Sequence, residues 1–368
     1  MENMVKKSER SAGIDIYKIL CMFFVIWFHF SDHGSVQITA NDEITFNWLV
    51  LAGSRIFGGI CNFTFILCTG YFLCTKKFNV QRILKLWLQV WFYSVLCGMV
   101  AIALKMESFA LSSILPMLLP FTLNQYLFFT NYLILILLSP VINLLIEKMD
   151  KKQHLCLLIF CFLITTYFPT FGIALDVNKF SYSFFFPYIL AAYLKKYRPE
   201  LKFKNSLYGW LGLFFLLLEI LTIFIARSIN VRLVKFGQSM QFDFFVWPMD
   251  KLPCVLTSVF LFIWFANLKI KYNKFIGFLS SSLFAVYLLH IGKLWKLFFR
   301  ILFNNENTYN TNLMLPQMIL CSVTIFFGAI LIDKLRIYFF EKPVLFCLKK
   351  LKEKLINSDY NKNDISNV

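Results

Sequence analysis

The chain alternates between long apolar blocks and short polar connections, and that pattern sets its first reading. A helix of about 20 apolar residues crosses roughly 30 Å of hydrocarbon. Ten blocks of this kind occur, at about 14–31, 48–74, 84–104, 126–146, 155–175, 181–194, 207–227, 245–268, 276–299 and 313–333, the sixth being short. A further apolar stretch, 109–123, carries Pro116 and Pro120. It suits a re-entrant or interfacial piece, because proline interrupts a continuous helix, and it leaves an odd span count open. The longest outer connections, about 31–47, 105–125 and 228–244, are too short to fold as domains. The expected fold is all-α, a polytopic transmembrane bundle of about ten spans. Residues 1–333 form one membrane domain. In 334–368, basic residues alternate with Leu335, Ile337, Phe339, Leu345, Leu348, Leu351 and Leu355. This tail is expected to lie along the inner membrane surface, drawn to anionic lipid, with 356–368 polar and disordered.

Composition narrows the class. Of 368 residues, 59% are apolar and 15% charged, whereas soluble chains hold about 45–50% apolar and roughly 25% charged residues. A soluble globular domain, a coiled coil and a disordered chain are excluded. The net charge of +17 would suggest nucleic acid in a soluble protein, but its placement argues otherwise. With a cytoplasmic N-terminus and an even span count, most of the 37 Lys and Arg fall in 1–13, 75–86, 147–154, 195–206, 269–275 and 334–368. Outer segments hold only Lys105, Lys179, Arg227, Arg232, Lys235, Lys251 and Arg300. Lys and Arg collect on the cytoplasmic side of short loops, so both termini are expected there and no nucleic acid is implied. The ten Cys lie mostly within apolar blocks without a CxxC motif, and read as small buried side chains rather than a disulfide framework. The first block ends at His29-Phe30 without a small-residue cleavage site, so no cleavable signal peptide is expected.

Ionisable side chains within a span are costly and point to function or to a shielded interior. They are Asp15, Lys18, His29, Arg55, Glu219, His290, Lys293 and Lys296. Lys18 and His29 are eleven residues apart, which at ~100° per residue is three turns plus about 20°, with a separation of roughly 16 Å along the axis. Asp15, one turn before Lys18, shares that face and can neutralise it. Plainer roles fit too: Lys18 snorkelling at the interface and His29 satisfied near the outer surface. His33 follows His29 by four residues, with Asp32 between them; on a helix that spacing can hold a metal, but no third ligand is evident and no metal is expected. His154 sits in a charged loop and is expected to be solvated. Arg82 and Lys85, one turn apart at an inner end, suit a phosphate-rich ligand or ordinary orienting charge. Glu219 could pair with Arg55 or close a polar pocket. His290, alone in an apolar helix, suits a structural role. No phosphate-binding glycine loop and no serine nucleophile elbow occur.

The stripe on the first span resembles the signature of the acyltransferase family three proteins, integral-membrane O-acyltransferases. Lys18-x10-His29 matches their first-helix motif, with Lys where Arg is commoner, after a similar lead-in at Gly13-Ile14-Asp15. Further resemblances follow in order: Cys68-Thr69-Gly70-Tyr71, Arg82-Ile-Leu-Lys85, Asn131-Tyr132 with Leu138-Ser-Pro140-Val-Ile-Asn143, Tyr287-Leu-Leu-His290, and Phe340-Glu341-Lys342-Pro343. Leu127 stands where a Trp is usual. Lys in place of Arg at positions 18 and 85 forgoes bidentate contacts. The resemblance implies transfer of an acyl group, commonly acetyl from acetyl-CoA, to a hydroxyl of an extracytoplasmic glycan or lipid-linked saccharide. The abundance of Lys, Asn, Ile and Phe suggests a bacterial host, so a bacterial cytoplasmic membrane is expected. His29 would be general base or transient acyl carrier, oriented with help from Lys18 and Asp15. Arg82, Lys85 and Tyr71 would contact the donor, and Arg55, Glu219, His290 and Tyr132 would line the pocket. The alternatives are a transporter or flippase for a lipid-linked glycan, which the lack of internal repeats disfavours, and a structural subunit of a larger assembly.

Overall fold

A computed structural model describes residues 11–172, 183–197, 203–348 and 350, and contains no strand among them. The helices are α1 (Ala12–His33), α2 (Phe46–Ser54), α3 (Ile56–Leu73), α4 (Val80–Ala103), α5 (Leu111–Leu118), α6 (Leu127–Lys148), α7 (Lys151–Phe162), α8 (Phe185–Tyr197), α9 (Asn205–Leu233), α10 (Leu252–Asn267), α11 (Lys274–Ser280), α12 (Leu283–Ile291) and α13 (Met314–Arg336). Eight continuous or kinked segments are long and apolar enough to cross a membrane. The shorter α8 and α10 fall where the sixth and eighth spans were expected. The fold is an all-α polytopic bundle.

α1 is the hub and packs on α2, α3, α10, α11, α12 and α13. It starts where it does because the Ser11 hydroxyl accepts from Ile14 N at 3.4 Å and Asp15 sits in the first turn, both favourable at the positive end of a helix. Gly13 permits its closest crossing: a Cβ there would lie 2.0 Å from the Phe265 carbonyl oxygen on α10. Tyr17 stacks on Phe265 one turn later, with ring centroids 4.8 Å apart, and accepts a hydrogen bond from Thr64 on α3 at 3.1 Å. Outward faces are apolar instead of polar. Trp210 and Leu217 on α9 are 71% and 65% exposed, as a lipid-facing surface requires.

Several expected spans are interrupted. The second is kinked at Arg55 between α2 and α3. The ninth breaks at Ser281–Ser282 and again at Gly292, before a π-helical turn at Leu297–Leu302. This break moves Lys293 and Lys296 out of the span interior. Lys293 pairs with Glu107 at 3.3 Å, and Lys296 is exposed beside the Trp295 ring. The proline-bearing stretch forms only the eight-residue α5, held against α4 by Met117 seated over Gly98. Eight residues rise about 12 Å, too little to cross hydrocarbon. His154 is not solvated: it is fully buried, its Nε2 lies 3.2 Å from the Ile189 carbonyl, and Tyr193 packs against its ring. α13 runs on through a π turn at Ile337–Glu341 to Leu348. The expected ends of spans five and six at 173–175 and 181–182, and the tail from 351 onward, lie outside the described residues.

Candidate functional site

The N-terminal half of α1 contributes a buried ion pair. Lys18 Nζ lies 2.6 Å from Asp15 Oδ1, and Asp15 is 2% exposed. Such a charge is tolerated because a cavity of about 460 Å³ opens beside it. Lys18, Met22 and Val25 form one wall, and Asn62, Cys68 and Thr69 of α3 another. Lys76, Arg82 and Leu86 flank one end, where α3 leaves and α4 begins. Phe128 and Tyr132 of α6, with Phe284 and Tyr287 of α12, complete the enclosure. Thr69 Oγ1 donates to the Phe65 carbonyl at 2.9 Å and lies 3.3 Å from the Tyr132 hydroxyl. Lys18, Lys76 and Arg82 therefore face a largely apolar chamber, and their end of the bundle is its basic end.

Two histidines meet beyond the other end. His29 follows the wall residue Val25 by one turn of α1, and His290 follows the wall residue Tyr287 by three residues of α12. His29 Nδ1 lies 3.1 Å from His290 Nε2, and His290 Nδ1 lies 2.5 Å from the Val286 carbonyl oxygen. A carbonyl can only accept, so His290 Nδ1 carries the hydrogen. In the neutral ring Nε2 then accepts, so His29 donates from Nδ1 and keeps a lone pair on Nε2. His33 stacks on His29 with centroids 5.2 Å apart and planes within 10°, and Trp295 covers His33. Among the described residues, no group of three or more His, Cys, Asp or Glu is arranged to hold a metal ion.

A charged knot ties the same end together. Arg55, at the α2–α3 kink, binds the Asp32 carboxylate, donates from Nε to Ser31 Oγ at 3.2 Å, and lies 3.8 Å from Asp243 Oδ2. Asp243 belongs to the turns before α10. Burial pushes its carboxyl up from the usual range, and the Arg55 guanidinium opposes that shift. Arg300 donates to the His33 carbonyl at 3.1 Å, which fixes the chain end of α1.

The residues singled out from the sequence thus divide. Lys18, Arg82 and Tyr132 line one cavity, with Asp15 behind Lys18. His29 and His290 form one pair across 261 positions of sequence. Arg55 is engaged by Asp32 and Asp243, not by Glu219. Glu219 is fully buried in α9 beside Thr257, and neither carboxylate oxygen has a well-formed hydrogen bond among the described residues. Tyr71 is buried with Lys195 over its ring at 4.3 Å. Lys85 is exposed and does not line the cavity. Lys76, Asn62 and Tyr287 line it without having been singled out. Lys76 was readable only as orienting charge, and Asn62 carried no signal in an apolar span. Tyr287 stood within the ninth-span motif, one turn from its histidine.

Compared with protein families, residues 11–334 match the acyltransferase domain of acyltransferase family 3. No curated protein and no solved structure matches the chain.

Proposed function

Because the chain belongs to acyltransferase family 3 and is a multi-pass membrane acyltransferase, we propose that it moves an acetyl group from acetyl-CoA to a glycan hydroxyl. The donor enters from the basic, cytoplasmic end. The acceptor, an extracytoplasmic polysaccharide or lipid-linked saccharide, arrives at the histidine end. The observation that carries this reading is the His29–His290–Val286 relay beyond one end of a cavity whose other end presents Lys18, Lys76 and Arg82.

A sugar hydroxyl is a poor nucleophile near neutral pH, and a positioned imidazole is suited to remove its proton. His29 Nε2 takes that proton as the hydroxyl oxygen bonds to the thioester carbonyl carbon. The carbon–sulfur bond then breaks, and the imidazolium returns the proton to the departing CoA sulfur. The products are an ester and the free thiol. Lys18, neutralised by Asp15, stands along the path of the pantetheine arm. Arg82 holds donor phosphate at the entrance, with Lys85 adding charge from the neighbouring turn. Tyr132 lines the path, and Arg55 with Asp32 holds the end of α1 that carries His29.

The test is acceptor-dependent release of CoA thiol by purified protein in lipid nanodiscs, supplied with acetyl-CoA and a saccharide acceptor. His29→Ala lowers kcat by on the order of 10²–10⁴-fold, while the variant still inserts and melts normally. Full activity in that variant defeats the assignment. A flippase releases no thiol under any of these conditions.

A further inference from the structure

Beside the entrance lies a second cavity, of about 760 Å³, that the acyl-transfer steps leave unused. Lys76 and Lys77 border it from the α3–α4 connection, and Lys195 and Lys196 from the end of α8. All four are exposed, and none forms an ion pair among the described residues. Phe78, 49% exposed, offers a flat ring on the same wall. Glu147 also borders the cavity but lies outside ion-pair distance of these lysines. The two cavities adjoin. A small third cavity has Lys77, Phe78 and Pro140 in common with the second and Leu73 and Arg82 in common with the first, while Lys76 lines all three. Lys195, Lys76, Arg82 and Lys18 therefore line a succession of adjoining cavities.

Resting on the acyl-CoA reading above, we propose that this second cavity seats the 3′-phosphorylated adenosine diphosphate end of the donor. Lys77 and Lys195 meet the 3′-phosphate, Lys76 and Arg82 meet the pyrophosphate, and Phe78 stacks on the adenine. The chemistry is what such a head requires: several mobile ammonium donors for multiple phosphates and an aromatic face for a base. The volume falls within the usual range for small-molecule sites, ~300–1,000 Å³. Anionic lipid phosphate would satisfy the lysines alone. It has no use for a cationic corridor leading on to Arg82 and Lys18, nor for the aromatic wall.

The experiment compares wild type with Lys77→Ala and with Lys77→Ala/Lys195→Ala. The single variant removes an exposed side chain that has no ion pair, so it leaves folding intact. Two measurements are made on full-length protein in nanodiscs. The first is binding of adenosine 3′,5′-bisphosphate by calorimetry, which requires no acyl transfer. The second is the ratio of kcat/KM for acetyl-CoA to that for acetyl-pantetheine, with acetyl-dephospho-CoA as the donor lacking the 3′-phosphate. The expected result is nucleotide binding weakened about tenfold or more in the double variant, with the preference for acetyl-CoA falling to the same extent and carried by KM. Removing the 3′-phosphate costs wild type but not the variant. Nucleotide binding or donor preference equal in wild type and variant overturns the proposal, whether or not acyl transfer is seen. A variant effect that follows the anionic-lipid content of the disc instead of the donor's 3′-phosphate assigns the cavity to lipid and overturns it too. Nucleotide binding that behaves as expected, without thioester cleavage, defeats the acyltransfer reading separately.

Discussion

Among the described residues, the His290 side chain hydrogen-bonds His29 Nδ1 and the Val286 carbonyl, and the consequence of removing it can be worked out from those two bonds. Without an acceptor at Nε2, His29 loses the partner that holds its hydrogen on Nδ1, and the reactive nitrogen is no longer selected. His290→Ala is expected to lower kcat by roughly 10–100-fold, as loss of an orienting partner commonly does, with KM little changed, because the lost group does not bind substrate. His290→Gln retains a carbonyl oxygen at about the same reach and restores part of the rate. Equal loss in both variants, or a loss carried by KM, argues for a packing or binding role instead. Sequence alone could align Lys18 with His29, because both lie on one helix and periodicity places them. It could not pair His29 with His290, whose contact depends on how α12 crosses α1. Arg55 shows the same limit. Its partners are Asp32, in the last turn of α1, and Asp243, in the turns before α10, and nothing in their local pattern marked either as its partner in place of Glu219.

At the level of elements, the end of α13 is locked by a second buried ionic group. Asp333 Oδ1 accepts from Arg336 Nε at 2.8 Å and from Gln89 Nε2 and Tyr93 Oη of α4, both at 3.3 Å. Arg336 reaches on to Glu341 Oε2 at 2.7 Å, across the π turn. Glu341 opens the Glu-Lys-Pro motif beyond the matched region 11–334, and its contact here is structural. Asp333→Ala leaves Arg336 with Glu341 as its remaining partner but removes the acceptor shared by Arg336, Gln89 and Tyr93, and is expected to cost about 1–3 kcal/mol, a fall in melting temperature of roughly 5 °C. Thermal unfolding in detergent checks this, and a fall of under about 2 °C would show that the latch carries little of the stability. The interruptions were the least legible elements. Hydropathy integrates over some 20 residues and registers a kinked and a straight span alike, so the turns at Arg55 and Ser281–Ser282 were invisible to it. Pro116 and Pro120 were the exception, since a missing N–H and a fixed φ are local properties, and α5 is correspondingly short.

On the scale of the whole molecule, charge asymmetry predicts which way the bundle faces. The α1 N-terminus, the α3–α4 connection, the α8 C-terminus and the α10–α11 connection carry Lys18, Lys76, Lys77, Lys195, Lys196, Lys269, Lys271 and Lys274. The opposite end holds the Arg55 knot, the Glu107–Lys293 pair and the uncharged-to-mixed turns around 304–312. A lysine moved to the far side of a bilayer forfeits attraction to the anionic inner surface, about 1 kcal/mol for each residue near it. With eight lysines at one end, the opposite orientation is disfavoured by several kcal/mol during insertion. The proposed donor entry at the basic end and acceptor entry at the histidine end require this orientation, because acyl-CoA is cytoplasmic and the proposed glycan is not. An epitope tag inserted in 304–312 is therefore expected to bind antibody on intact spheroplasts, and one in 269–273 only after permeabilisation. The reverse pattern would put His29 on the cytoplasmic side and the lysine cavities outside, where the donor is absent, and would remove the physical basis for transfer across the membrane.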